Sequence, residues 1–511
     1  MTDGKAGLPL DALLKRAGIP HAEDAGTAHI GAVVNDSRKG SSSSLFVAIP
    51  GFAMDGHDFL PAAVAAGCPA VIVERMPEVA LPVPAILVLN ARRAFALLNA
   101  ALYGNPSHEM TVVGITGTDG KSTVTNMIRT IWDACGIPAA SFTTIGHTVH
   151  GTFTPNAGHV TTQEADVLQK ELREARSSGC THVALETSSH ALALDRVYGI
   201  AYRAAVFTRI TSEHLELHGT REAYREAKGL LLTYAHENGG FGVLNRDDPF
   251  SYPYLSSLTA GRNVSYTTED SPEAEYRATG IRHSHDSLEA TFHLPQLTEH
   301  AAFAHLRGTF NIENALAALA VTVELGADPH TAIRALAAME AVAGRMEHIT
   351  TRMGIEIVID FAHTEASLRK VLTDLRASTG GDIWVVFGSA GERDAAKRLP
   401  MGRVAGELAD HVILANEDPR REDPSAILND IASGVKTVTP PPKELRIIED
   451  RTEAIRHALR NASPGDAVLL AGKGHEATIT IGQNNLPWNE KEITLGLLKE
   501  LDPLPPDHES G

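Results

Sequence analysis

Residues Gly114–Thr123 read GITGTDGKST, preceded by TVV and followed by VTNMIRTIW. An apolar β-branched run, then glycines and a lysine, then a helical pattern is the arrangement in which backbone N–H groups converge on an anion. Gly117 and Gly120 permit positive φ and close backbone approach. Lys121 supplies a point charge, and Ser122 a hydroxyl at the helix start for phosphate or magnesium. The spacing departs from the usual phosphate loop, because Ile115 stands where its first glycine belongs and Gly114 comes one residue early. A Gly-Lys-Ser turn can be a mere helix cap, but the flanking strand and helix point to a nucleotide triphosphate. Such loops serve switches, motors, kinases and ligases, so the reaction stays open.

The elements that must position this loop follow from the patterning. TVVGI, THVALE and AAVFT, and later IEIVID, DIWVVFG, HVILAN and AVLLAG, read as buried strands alternating with helical segments. That alternation predicts α/β architecture with parallel sheets covered on both faces. Breaks at LYGNPSHEM and near AVAGRMEHI divide the 511 residues into three expected domains, 1–108, 109–342 and 343–511. Glu186 ends THVAL, where a carboxylate at a strand's carboxyl end can reach a cation beside the loop or simply be solvated.

Composition narrows the partners. Lys+Arg 45 against Asp+Glu 63 gives a net charge of -18, which disfavours nucleic acid. The cysteines, Cys68, Cys135 and Cys180, are scattered and odd in number, so neither a disulfide framework nor a cysteine metal site is expected. The amino-terminal residues show no signal-peptide pattern, and LPAAVAAGCPAVIV is too short and broken to span a bilayer. A cytoplasmic, monomeric protein without membrane insertion is expected.

The variant loop resembles the G-x-T-G-T-x-G-K-[ST] loop of the Mur ligase and folylpolyglutamate synthetase superfamily, with Asp119 where Asn is usual. Other blocks narrow the resemblance to MurE-type ligases. They are NDSRKGSSSSLFVAIPGFAMDGHDF, VTTQEADVLQ, ETSSHALALDRV, FTRITSEHLELHGT with YREAKGLLL, GRMEHI, IDFAHTEASL, FGSAGERDAAKR, NEDPRREDP and LLAGKGHE, over roughly residues 30–480. The resemblance implies a UDP-binding α/β domain, a central phosphate-loop ATPase domain and a Rossmann-like carboxyl-terminal domain. It implies ATP-dependent addition of a third amino acid to UDP-N-acetylmuramoyl-L-alanyl-D-glutamate through an acyl phosphate, with Mg²⁺. Ligation would rest on positioning and electrostatics.

Carried over residue by residue, the resemblance implies that Thr116, Gly117, Thr118, Asp119, Gly120, Lys121, Ser122 and Thr123 hold ATP phosphates. Asn311 would lie on the adenine side, with Arg345, Asp360 and His363 closing on the nucleotide between domains. Ser122, Glu186, His214 and a carbamylated Lys228 are the implied metal ligands; Lys121, Lys228, Glu186 and His214 form the catalytic set. Ser37, Arg38, Thr161, Thr162, Ser188 and Arg196 match contacts to the UDP-sugar dipeptide, Arg196 meeting the D-glutamate carboxylate. Phe52, Leu194, Arg209 and Glu213 depart from commoner residues.

The free diamino acid would be chosen by Arg393, Asp418, Arg420, Gly472 and Glu476. Arg420 favours a distal carboxylate, as in meso-diaminopimelate, whereas Asp418 in place of Asn favours the bare ammonium of L-lysine or L-ornithine. Arg420 could instead be neutralised by Asp418 or Glu422. The balance of specific pairing leans to diaminopimelate. Competing functions are a folylpolyglutamate synthetase, a ligase of another peptide, and a nucleotide-binding scaffold without ligation. A dinucleotide dehydrogenase is disfavoured, because no G-x-G-x-x-G opens a strand–helix unit.

Overall fold

The computed structural model of the chain describes residues 7–21, 26–52, 54–156, 160–211, 213, 215–258, 261–269, 271–283 and 287–501. It divides into two compact units, Met1–Tyr266 with Ala320–Ala327, and Thr267–Leu319 with Asp328–Gly511.

The amino-terminal part of the first unit holds four parallel strands, β1 (Ala32–Val34), β2 (Ser44–Val47), β3 (Ala70–Val73) and β4 (Ala85–Leu87), hydrogen-bonded in sequence order. Apolar clusters cover this small sheet on both faces, and helix α1 (Ala91–Leu102), capped by the Asn90 side chain, packs into one of them.

A second parallel array carries the glycine loop. Its strands are β5 (Thr111–Thr116), β6 (Ala139–Phe142), β7 (His182–Glu186), β8 (Tyr202–Phe207) and β9 (Phe241–Asn245). In space they run β6-β7-β5-β8-β9, with β5 in the middle. Helices α2 (Lys121–Ala134), α3 (Ala165–Ser177) and α4 (Arg221–Glu237) join them. Burial on both faces explains why these strands read as continuous apolar runs and not as alternating ones. Parallel order sends the carboxyl ends of β5, β7 and β8 to the same edge, the place where loops of an α/β sheet bind ligands.

The second unit holds an antiparallel meander, β10 (Tyr276–His283), β11 (Leu288–Leu294) and β12 (Leu297–Phe303). The sequence reading did not single it out, although LEATFHL alternates buried and half-buried residues at period two, the mark of a strand with one face covered. Beyond it lies a six-stranded sheet in the order β13-β14-β18-β15-β16-β17. Its members are β13 (Glu347–Thr350), β14 (Glu356–Asp360), β15 (Ile383–Phe387), β16 (His411–Leu414), β17 (Glu444–Ile447) and β18 (Ala467–Ala471). All pairings are parallel except β13 with β14. Both faces again carry apolar cores. A short antiparallel hairpin, β19 (Thr478–Ile481) with β20 (Asn484–Pro487), follows β18.

One carboxyl group is held in the wrong charge state for water. Glu171 on α3 approaches the His147 ring at 3.7 Å. Burial, with help from Glu174, pushes Glu171 up to about 7, while burial pushes His147 down, so both groups are biased toward their neutral forms. The unfolded carboxyl ionises near its ordinary value, so between there and 7 the folded chain binds the extra proton and stability falls as pH rises. Glu171→Gln should therefore stabilise the fold by about 1–2 kcal/mol at pH 8, with the exposed fraction discounted, and by much less at pH 5. Urea unfolding at both pH values checks this; an equal gain at the two would contradict it.

Candidate functional site

The glycine loop leaves β5 at Thr116 and enters α2 at Lys121, with Gly120 as the left-handed residue before the helix. Gly117 is the tight point. Its φ is +150, and a Cβ there would lie 1.7 Å from Thr208 Oγ1, so only glycine fits. The segment after β8 clamps the loop: Thr208 Oγ1 donates to the Asp119 carbonyl at 2.6 Å, and the Thr118 amide donates to the Arg209 carbonyl at 2.7 Å. Thr118 Oγ1 accepts from the Thr211 amide at 2.9 Å. Lys121 folds back onto its own loop, its ammonium donating to the Thr118 carbonyl at 2.7 Å. Ser122 and Thr123 are buried in the first turn of α2.

Glu186 lies beside this loop because β7 pairs with β5 in a register that places Glu186 opposite Ile115. It is 1% exposed. Its Oε2 accepts from Ser122 Oγ at 2.8 Å and from the Thr144 amide at 2.9 Å, and Oε1 accepts from Thr144 Oγ1 at 3.1 Å. Thr144 was missed in the sequence. Its signal is the pair of hydroxyl residues in FTTIG directly after β6, at the same sheet edge. Thr161 Oγ1 lies within hydrogen-bond reach of Thr144 Oγ1, at 3.1 Å. Thr162 Oγ1 donates to the Glu186 carbonyl at 2.9 Å and accepts from the Ser188 amide at 3.0 Å, so the hydroxyls expected to face the dipeptide also brace the acid.

Ser122 and Glu186 present hard oxygen donors, buried and in contact, which suits a magnesium ion that keeps phosphate and water as its other ligands. Among the described residues no group of three or more His, Cys, Asp or Glu gathers as a metal site. His214 lies outside the described residues.

Lys228 reaches the loop from α4. The AKG stretch that looks like a solvated helix surface is in fact buried, with Lys228 at 1% exposure. Its ammonium donates to the Gly117 carbonyl at 2.7 Å and sits 4.4 Å from the centre of the Tyr224 ring. Burial holds its pKa well below the usual lysine range, and the charge of Lys121 adds to that; Glu213, Asp119 and Glu186 pull the other way. Burial beside the phosphate loop thus favours the neutral amine over the ammonium more than water does.

Toward the amino terminus, Ser37 and Arg38 lie in a short 3₁₀ turn capped by Asp36, and Arg38 forks onto that Asp36 at 2.7 and 2.9 Å. Phe52 is 82% exposed, with the Arg92 guanidinium 5.9 Å from its ring centre. Arg196, expected to meet a carboxylate, pairs with Glu164 at 2.7 Å.

In the second unit, Asp360 ends β14 and accepts from the Met346 and Ala362 amides at 2.7 and 2.8 Å. Arg345 lies over the Phe361 ring at 4.6 Å, with a buried Nε unpartnered among the described residues. His363 Nδ1 is 2.9 Å from the Phe361 carbonyl. Asn311 Nδ2 donates to the Arg307 carbonyl at 2.6 Å, and Asn314 donates to Asn311 at 3.0 Å, so Asn314 supports Asn311.

The proposed selector residues separate clearly. Arg420 adopts φ 54, a left-handed conformation uncommon for a side-chain-bearing residue, and its backbone is fixed by the Thr480 carbonyl at 3.0 Å and the Gly482 amide at 2.6 Å. Neither expected neutraliser reaches it. Asp418 pairs with Lys473 at 3.0 Å, and Glu422 pairs with Arg398 at 2.7 Å. Among the described residues no hydrogen bond or ion pair engages the Arg420 guanidinium. Glu476 also meets Lys473, at 2.5 Å, and burial raises its pKa. Gly472 has φ +102, and a Cβ there would lie 2.6 Å from Glu417 Oε2. Arg393 is exposed. Lys473 and Glu417 were not singled out in the sequence; their signal is a charged residue inside each of the two selector motifs.

No helix among the described residues is long and apolar enough to cross a membrane. The chain matches the Mur ligase family, catalytic domain, over residues 29–103, the Mur ligase middle domain over 115–322, and the Mur ligase glutamate ligase domain over 344–474. It is 39% identical over 488 residues to the UDP-N-acetylmuramoyl-L-alanyl-D-glutamate–2,6-diaminopimelate ligase of Geobacillus kaustophilus, covering 93% of this chain and 96% of that one. It is 41% identical over 461 residues to the UDP-N-acetylmuramyl-tripeptide synthetase of Deinococcus radiodurans, covering 89% and 92%. A solved UDP-N-acetylmuramoyl-L-alanyl-D-glutamate–2,6-diaminopimelate ligase superposes with TM-score 0.69 at 27% identity over 96% of this chain and 99% of its own. The fold is shared as well with the MurF ligase of Thermotoga maritima in complex with ADP, at TM-score 0.62 and 21% identity over 92% and 97%. With relatives this similar across almost its whole length, the chain belongs to the Mur ligase family, among its ATP-dependent MurE-type tripeptide synthetases.

Proposed function

We propose that the chain joins meso-diaminopimelate, as third amino acid, to the D-glutamate carboxylate of UDP-N-acetylmuramoyl-L-alanyl-D-glutamate in peptidoglycan synthesis, with ATP cleaved to ADP and phosphate. The observation that carries the reaction is the meeting of Ser122, Glu186 and Lys228 at one glycine loop, with contacts of 2.8 Å from Ser122 to Glu186 and 2.7 Å from Lys228 to Gly117. Names of the full-length relatives support the substrate. Residues 1–108 are assigned to the UDP-sugar, 109–342 to ATP and 343–511 to the amino acid. Its nucleotide-linked substrates make the cytoplasm its place of work.

A carboxylate is a poor electrophile, so one of its oxygens must first become a phosphate leaving group. The carboxylate oxygen attacks the γ-phosphorus as the bond to ADP breaks; the amine then attacks the acyl carbon, and phosphate leaves with that oxygen. Loop amides and Lys121 orient and neutralise the triphosphate, Lys121 exchanging the Thr118 carbonyl for a phosphate oxygen. Ser122, Glu186, His214 and a carbamylated Lys228 would hold magnesium, which when bound screens γ-phosphate from carboxylate. Carbamylation needs the neutral amine that burial already favours: nitrogen attacks CO₂, a proton leaves, and a carboxylate-like group results. Arg196 trades Glu164 for the D-glutamate carboxylate. Asn311, Arg345, Asp360 and His363 take the remaining nucleotide contacts, and Ser37 and Arg38 the uridine end.

ADP release measured with the UDP-linked dipeptide and a panel of amino acids tests the whole proposal. Release should require both co-substrates and be fastest with meso-diaminopimelate; release with a folate substrate, or with no acceptor, would overturn it. Lys228→Ala should be nearly inactive, with partial recovery in a short carboxylic acid that fills the vacated position. An unmodified Lys228 in the mass spectrum of active, nucleotide-bound enzyme would count against carbamylation. Arg420→Ala should raise the KM for meso-diaminopimelate by about 30-fold or more, from loss of about 2–3 kcal/mol of charge-assisted bidentate binding. Its use of L-lysine should hardly change; equal losses for both would remove Arg420 from the distal carboxylate.

A further inference from the structure

Lys473 is the residue in the selector region that has no assigned task. It lies between Gly472 (φ +102) and Gly474 (φ +50), and its side chain is 0% exposed. A buried ammonium costs several kcal/mol unless it is paired, so its two partners are obligatory. They are Asp418 Oδ1 at 3.0 Å and Glu476 Oε2 at 2.5 Å. Asp418 Oδ1 also accepts from the Thr480 amide at 2.8 Å, and the carbonyl of Thr480 receives the Arg420 amide at 3.0 Å. A short chain of bonds thus runs from Lys473 through Asp418 and Thr480 to the backbone of Arg420.

The charges explain why this matters. Asp418 alone would set a negative group two residues from the guanidinium that is to grip a distal carboxylate. Lys473 cancels it. Of Lys473, Asp418 and Glu476 together, one negative charge is left, and it lies on the side of Glu476 and Glu417, whose buried Oε2 is unpartnered among the described residues. An ammonium suits that side, and a carboxylate suits Arg420.

We infer that Lys473 is a positioning residue that sets the choice of third amino acid, by neutralising Asp418 and orienting Glu476 so that Arg420 can accept a distal carboxylate. The inference rests on the amino-acid-adding function proposed above. Without Lys473 the same pocket carries two negative charges at these positions and turns toward an acceptor whose side chain ends in an ammonium alone.

The test is steady-state ligation by the full-length enzyme, with UDP-linked dipeptide and ATP saturating and either meso-diaminopimelate or L-lysine varied. Lys473→Met should lower the ratio of kcat/KM for meso-diaminopimelate over L-lysine by at least about tenfold, through KM, since opposed like charges in a pocket cost that much or more. Asp418→Asn in the Lys473→Met background should restore the ratio, because the charge to be cancelled is gone. Should Lys473→Met fail to fold, Asp418→Asn with Lys473 intact keeps the test alive: it should raise the ratio by about threefold or more. Equal loss for both amino acids in Lys473→Met, no restoration in the double variant, or an unmoved ratio in Asp418→Asn would overturn the inference alone. A wild-type enzyme that ligates neither amino acid would overturn the function on which it rests.

Discussion

The contact between Gly117 and Thr208 is the constraint on which the first unit's chemistry depends. The two residues end neighbouring parallel strands, and the loop can pass only because Gly117 has no side chain. Once it passes, two separate segments lock onto it: the one after β8, through Thr208 on the Asp119 carbonyl and Arg209 on the Thr118 amide, and α4, through Lys228 on the Gly117 carbonyl. A loop fixed this way has its amides aimed before any anion arrives. Preorganised donors of that kind cost no rearrangement at the moment of reaction, which is what phosphoryl transfer demands of a protein.

The two buried lysines make opposite use of the same physics. Lys473 is buried with two carboxylates, and its charge serves to cancel another. Lys228 is buried against a carbonyl and an aromatic face, with no carboxylate paired to it among the described residues, and Lys121 adds repulsion. The first environment answers the buried charge with carboxylates; the second penalises it and favours the neutral amine. Similar burial thus gives a paired cation in one motif and a disfavoured charge in another, and the difference lies in the neighbours.

Much of this was legible in the sequence, and for physical reasons. Strands buried on both faces leave continuous apolar runs, and a loop that needs glycine writes glycine at Gly117 and Gly120. Glu186 was placed correctly at the end of its strand because a single acid closing an apolar run is conspicuous. The meander over 276–303 was not picked out, since attention to continuous runs passes over strands that alternate. Pairings across long separations were also invisible: Arg196 with Glu164, Asp418 with Lys473, Glu422 with Arg398, and Thr144 with Glu186. Each partner is ordinary in its own segment. Only the register of parallel strands, and the loops that leave them, brings the two together.

That limit bears most on the selector region. Sequence alone sets Asp418 against Arg420, because they stand two positions apart and carry opposite charge. The fold removes the opposition by two independent means. Arg420 turns through a left-handed conformation and pairs its backbone with the β19 hairpin, while Asp418 spends its charge on Lys473, 55 residues away. Proximity in the chain therefore misstates the electrostatics here, and the net charge facing a ligand is set by partners drawn from the loop after β18. An Asp in place of Asn in such a motif shifts specificity less when a buried cation answers it, and in this chain Lys473 does.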